Sequence, residues 1–184
     1  MKYSAVFLIV FTVLFSSEAR AGEFEDQIRK LYADQAEIMS QREIDIPAIL
    51  NFTGKYYADD IVMKTNLLNT NTGKTDISTT TKKQMLAMIP EEYKRTFNNR
   101  MEISIGELSL EGGPWHAVVK YDSKYEARLR MVDTIGRHFE RPLYVYFKCE
   151  EALDRSARGW PQITASDCKG AMKYGDVEYK SWHD

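Results

Sequence analysis

The sequence predicts an α+β domain in which three N-terminal helices pack on a curved, mainly antiparallel sheet. Three observations carry that prediction. Apolar residues recur at helical spacing as far as about residue 93, and from residue 98 the period switches from 3.6 to 2. The chain's two cysteines, Cys149 and Cys168, also fall where a single hairpin register sets them opposite one another.

Residues 1–21 come before that domain in the reading. Lys2 gives a positive start, Ala5–Phe15 is an eleven-residue apolar run, and Ser16–Ala21 ends in a small-x-small pattern before Gly22. That is the layout of a secretory signal peptide, and the run is far short of the roughly twenty residues that span a bilayer. The expected mature chain, residues 22–184, forms a single domain of 163 residues, large enough for one core. It carries 23 basic and 26 acidic residues, a net charge of −3 without clustering. No basic face of the kind that binds nucleic acid is present, and no second apolar run suits a membrane span after cleavage. The expected location is periplasmic or secreted.

The first helix spans 23–40, because Phe24, Ile28, Leu31, Gln35 and Ile38 make one stripe on an otherwise polar surface. Asp45 offers an N-cap with Pro47 in the first turn, so a second helix runs from about 46 to 58 through Ile49, Leu50, Thr53 and Tyr57. Asp59–Asp60 end it, and 61–68 is a short strand. Asn69–Gly73 is a turn cluster. Ser78 or a neighbouring threonine caps a third helix whose buried face is Met85, Leu86, Ile89 and Tyr93, with Pro90 disturbing its last turn.

Strand periodicity then takes over. Met101, Ile103 and Ile105 alternate with polar residues, and after Gly106 the apolar phase jumps to Leu108 and Leu110, the trace of a β-bulge. Gly112–Pro114 turns the chain. From Trp115 to Met131 apolar and small residues hold the odd positions over about seventeen residues, either as one long bent strand or as two strands turning at 122–124. The unbroken phase favours one strand. A further strand covers 139–151.

The last hairpin is centred on Arg158–Gly159 with Ala157 opposite Trp160, which sets Cys149 opposite Cys168. The same register places Phe147 opposite Gly170, Val145 opposite Met172 and Leu143 opposite Tyr174 on the cysteine face. In an oxidising compartment the pair is a disulfide; two separate buried thiols are the alternative. The other face is less favourable, with Lys148 opposite Lys169 and Glu150 opposite Asp167.

This order of elements resembles the NTF2-like superfamily, the cystatin-like cone that includes SnoaL-like proteins and ketosteroid isomerases. The resemblance rests on the second helix running into Tyr56–Tyr57–Ala58–Asp59–Asp60–Ile61–Val62, the helix near Lys82–Ile89 and the long strands from 100 to 174. It implies a sheet wrapped around the helices, a conical cavity open at one end, and frequent dimers through the sheet. Ketosteroid isomerases use a tyrosine and two carboxylic acids in that cavity. Tyr57 and Asp60 lie near a suitable helix end, but no acid sits on the odd face of 115–131, so no catalytic residue is assigned.

The binding candidates are Tyr57, Trp115, Tyr121 and Tyr125, whose rings suit a small hydrophobic ligand and equally suit a core. His116, His138 and His183 are scattered, so no metal or other cofactor is expected. Tyr144 and Tyr146 lie on the opposite face from Cys149 and offer a surface to a homodimer or another protein. The reading is an exported domain that binds a small apolar ligand or a protein partner without evident catalysis. Its rivals are a cavity-acid enzyme of the isomerase or hydratase type and a structural or inhibitory module of the cell envelope.

Overall fold

A computed structural model describes residues 4–179, with side chains placed from 20 to 178. Three helices precede the sheet: α1 (Ser4–Met39), α2 (Ile46–Tyr56) and α3 (Lys82–Tyr93). The strands are β1 (Tyr57–Asn69), β2 (Lys74–Thr81), β3 (Thr96–Leu110), β4 (His116–Val132), β5 (His138–Arg155), β6 (Pro161–Tyr174) and β7 (Glu178–Tyr179). Lys2, His183 and the tail beyond residue 179 lie outside the described residues.

The stripe read on the first helix is its buried face. Phe24, Ile28 and Leu31 are fully buried, joined by Tyr32, which the stripe omitted. The helical backbone begins at Ser4, well before the expected start at 23, and so continues through the segment read as a signal. Asp45 caps α2 through its carboxylate on the Ala48 N–H (3.0 Å), with Pro47 in the first turn. The helix gives way to strand at Tyr57, so Asp59 and Asp60 belong to β1 and do not terminate the helix. Among the described residues no helix is long and apolar enough to cross a membrane.

One strand escaped the sequence reading. Residues 74–81, mostly threonine and charge, form β2 at the sheet edge, antiparallel to β1. It carries a half-wet, β-branched set without a clean apolar alternation, and pairing to β1 orders it. Its last residue, Thr81, is the cap of α3: its hydroxyl meets the Gln84 N–H, while the Gln84 side chain receives the Thr81 N–H at 2.9 Å. Pro90 is accommodated inside α3, near its end. Lys82 is buried, and its ammonium bonds the Gly54 carbonyl (2.9 Å) and Asp59 (2.7 Å), tying α3 to the end of α2.

Strand order is β2-β1-β6-β5-β4-β3, with β7 added against the start of β5. Every pairing is antiparallel except β1 with β6, giving the mixed, mainly antiparallel sheet that was expected. The bulge read at Gly106 is present as a register shift between Ile105 and Glu107. A second shift follows Phe97, where Asn98 adopts a left-handed backbone (φ 49°) and its N–H reaches the Arg42 carbonyl. The seventeen residues of β4 form one strand. Its odd positions Ala117, Val119, Tyr121 and Ala127 are buried under the helices.

The cysteine register holds: Cys149 pairs with Cys168, Phe147 with Gly170, Val145 with Met172 and Leu143 with Tyr174. The cysteines are bonded to each other, with Cα atoms 4.2 Å apart. The hairpin end needs correcting. Ser156, not Ala157, pairs with Trp160, and Arg155 faces Pro161. A shift between Ala152 and Leu153 then restores the expected register before the sulfurs are reached. Gly170 is required at its place, because a Cβ there would collide with the Tyr146 carbonyl and the Phe147 ring.

Replacing Cys149 and Cys168 together by alanine should lower stability by about 3 kcal/mol, the loop-entropy value for a link of this span. Urea unfolding of oxidised wild type and variant measures it. A loss well under 1 kcal/mol would show that the sheet holds its register without the bond.

Candidate functional site

Between the helices and the β1–β2 edge of the sheet lies a cavity of about 310 Å³. Its walls come from α1 (Gln35, Met39), α2 (Ile49, Phe52), β1 (Tyr57, Met63), α3 (Met85, Met88, Ile89) and β3 (Met101), closed by Ser78 and Thr80 of β2. Five of the chain's eight methionines line it. Thioether side chains are flexible and polarisable, so such a wall adapts to an apolar guest without one fixed shape. A larger groove of about 850 Å³ runs over the outer face of the sheet, but it is open and lined by Glu107, Lys120, Asp122, Lys148, Asp167 and Lys169 among others.

A few polar groups interrupt the apolar wall. Gln35 lies beside the Tyr57 phenol, and its Oε1 is buried without a partner. Burial, reinforced by the charge of Glu151, lifts the Tyr57 phenol well above the usual tyrosine range. Tyr93 is raised too, chiefly by burial. Glu92, beside it at the rim, is the single carboxyl on the wall, and desolvation raises it from the ordinary glutamate value.

Behind Tyr57 sits a second polar centre that the sequence reading missed. Glu151 of β5 is 2% exposed in the middle of the core. Its Oε2 accepts from Tyr32 of α1 (2.7 Å), and its Oε1 accepts from Tyr121 of β4 (3.1 Å) and Ser166 of β6 (2.9 Å). Ser166 in turn lies 3.6 Å from the Cys168 sulfur. Burial raises the Glu151 carboxyl, and the bonds from Tyr32, Ser166 and Tyr121 oppose the rise. The signal for it was parity. Glu151 shares the inward phase of Cys149 and Leu153, an acid in a buried register of β5, whereas the odd face of 115–131 carries none.

The four aromatic candidates are distributed over four places. Tyr57 lines the cavity, and Tyr121 belongs to the Glu151 centre with its ring 4.8 Å from that of Tyr32. Tyr125 packs on the cluster of Met39, Ile49 and Ile89 and donates to Asn99 (2.6 Å), its phenol pushed up to about 12 by burial. Trp115 lies at the far end of the sheet, edge-on to Phe24. Of the remaining candidates, Asp59 is held below the usual carboxylate range by Lys82, and His116 bonds Asp154 (2.5 Å) on the outer face. Tyr144 and Tyr146 are on that outer face as well, with Tyr144 46% exposed and Tyr146 bonded to Asp122. Among the described residues no cluster of three or more histidine, cysteine or acidic side chains could hold a metal ion.

Three solved structures share the fold. A protein from Kribbella flavida superposes with a TM-score of 0.55 at 12% identity, over 82% of this chain and 92% of its own. A conserved protein from Planctomyces limnophilus gives 0.53 at 16%, over 79% and 94%. A hexachlorocyclohexane dehydrochlorinase, LinA Type2, gives 0.53 at 11%, over 90% and 95%. The fold is NTF2-like. No protein-family model and no curated protein matches the sequence. The methionine-lined space is the interior between the helices and the sheet, and the fully buried Glu151 is not among the residues that line it.

The buried acid makes stability depend on pH with a definite sign. A carboxyl whose folded value lies above 4.5 binds its proton more tightly in the native state. Its contribution is therefore fully present below 4.5 and falls as pH rises toward the folded value. Glu151→Gln should remove that fall, so the stability difference between wild type and variant should shift in the variant's favour as pH rises from 4.5. Groups such as Asp59 and Asp133, whose values are lowered, are common to both proteins and cancel. Urea unfolding across pH checks this, and a pH-independent difference would contradict it.

Proposed function

We propose that this chain is an exported protein whose NTF2-like domain, residues 22–184, binds a small apolar ligand in the methionine-lined cavity. The observation that carries the reading is the cavity itself: a concave, half-open space of about 310 Å³ walled by five methionines, three isoleucines and three aromatic rings. That size and lining match the concave, mostly apolar sites that take small molecules. Gln35, Ser78 and Thr80 supply the few polar groups of the wall, the kind that orient a guest in such sites.

Binding, and not chemistry, is what the wall favours. It pairs one rim carboxyl, Glu92, with phenols raised far out of the range in which they exchange protons at neutral pH. Export is supported by the signal-like segment and by the Cys149–Cys168 bond, which persists in an oxidising compartment.

A neutral apolar fluorophore such as N-phenyl-1-naphthylamine should bind saturably with one-to-one stoichiometry. Ser78→Trp should weaken that binding at least tenfold, because Ser78 is half-exposed at the cavity wall and an indole there fills the space without cutting the core. Titration by fluorescence reads both. Saturable binding that ignores Ser78→Trp would move the site elsewhere, and no saturable binding would defeat the reading.

A further inference from the structure

Along α3 the residues Met85, Met88, Ile89 and Glu92 follow at three- and four-residue spacing, so they share one face of the helix. All four line the cavity. Three are apolar and the fourth is an acid, where an apolar stripe calls for another hydrophobe. Among the described residues that line the cavity none is a lysine, arginine or histidine. Glu92 is therefore the one group on the wall that carries a full charge at neutral pH.

The position is costly for a carboxylate on two counts. Glu92 lies in the last turn of α3, the end at which the helix dipole favours cations, and that turn carries no basic residue. The apolar wall also takes water from it: desolvation alone sets the rise of its carboxyl, with no cation opposing it. Tyr93, next to it on the wall, registers the same charge in the rise of its phenol. The cations carried by this segment are occupied or face away. Lys82 bonds the Gly54 carbonyl and Asp59, while Lys94 and Arg95 act on Glu91. Lys83 precedes Glu92 by about two and a half helical turns, which sets it on the opposite face of α3.

We propose that the ligand class of this cavity is an amphiphilic amine, with an apolar body on the methionine wall and one ammonium end at Glu92. This deepens the reading of the cavity as a ligand site and rests on it. An ammonium supplies the counter-charge that the wall itself lacks, through a charge-assisted hydrogen bond about twice as strong as a neutral one. A fatty acid or other anionic amphiphile would instead bring a second carboxylate beside Glu92, and like charges at a desolvated site repel. A hard metal ion fits less well, because it takes several oxygen ligands and the wall offers one carboxylate.

Isothermal titration calorimetry at neutral pH with octylammonium, octanol and octanoate tests this, since the three share one chain and differ in the end group. Octylammonium should bind about tenfold more tightly than octanol, and octanoate more weakly than either. Glu92 is exposed on its outer side, so Glu92→Gln keeps the fold and should bring octylammonium to the level of octanol. Glu92→Asp, which keeps the charge, should keep the preference for the ammonium. Ser78→Trp should weaken octylammonium and octanol alike. An ammonium that binds no tighter than the alcohol, or a preference that survives Glu92→Gln, would overturn the amine assignment and leave the cavity as a site for neutral ligands. No saturable binding of any of the three, or binding that ignores Ser78→Trp, would defeat the cavity as a site and the amine assignment with it.

Discussion

Everything in this molecule depends on the register in which β5 lies against β6. Side chains alternate with period two along a strand, so one residue of slip would turn a whole strand inside out. With Cys149 opposite Cys168, the inward set of β5 is Cys149, Glu151 and Leu153, and that of β6 includes Ser166 and Cys168. The same step places Gly170 against Phe147, the one arrangement in which that ring has room. The disulfide therefore locks a pairing on which the interior charge relies. A slipped β6 would take the Ser166 hydroxyl away from Glu151 and leave the carboxyl short of a donor in the core, at a cost of order 1–3 kcal/mol or more.

From that register the interior divides into two compartments with different chemistry. Glu151 gathers hydroxyls from α1, β4 and β6 around one carboxyl, so a single buried acid ties the first helix to the centre of the sheet. Beside it the cavity is apolar and soft. Tyr57 is the partition: its ring lines the cavity, and its phenol feels the charge of Glu151. The rigid, hydrogen-bonded centre gives the methionine wall a fixed backing, and the thioethers supply the adaptability.

The sequence disclosed the parts governed by local periodicity. The stripe of α1, the Asp45 cap, the bulge at Gly106 and the single β4 strand follow from spacing alone, because each is decided by neighbours a few residues apart, and the cysteine register follows from the match of apolar pairs across the hairpin. The hairpin tip went astray by one residue, since the extra residue is Thr164 of β6, where the inward phase passes from Ile163 to Ser166 with no glycine to mark it. β2 stayed hidden because an edge strand of threonines is held by its partner and not by its own pattern. The cavity was legible in fragments: Met85, Ile89, Tyr93 and Met101 were placed on buried faces, but nothing in one dimension brings β1, α3 and β3 around a shared space. Trp115, Tyr121 and Tyr125 share one strand phase with each other, yet the length of β4 spreads them along the domain into separate surroundings.

The most direct test of the account is methyl NMR of the methionines during titration with a neutral apolar ligand. The account predicts shifts at Met39, Met63, Met85, Met88 and Met101, while Met131 and Met172, which lie away from the cavity on the sheet, stay where they are. Shifts at Met131 and Met172 with the other five unmoved, or no shift at any methionine under saturating ligand, would contradict it.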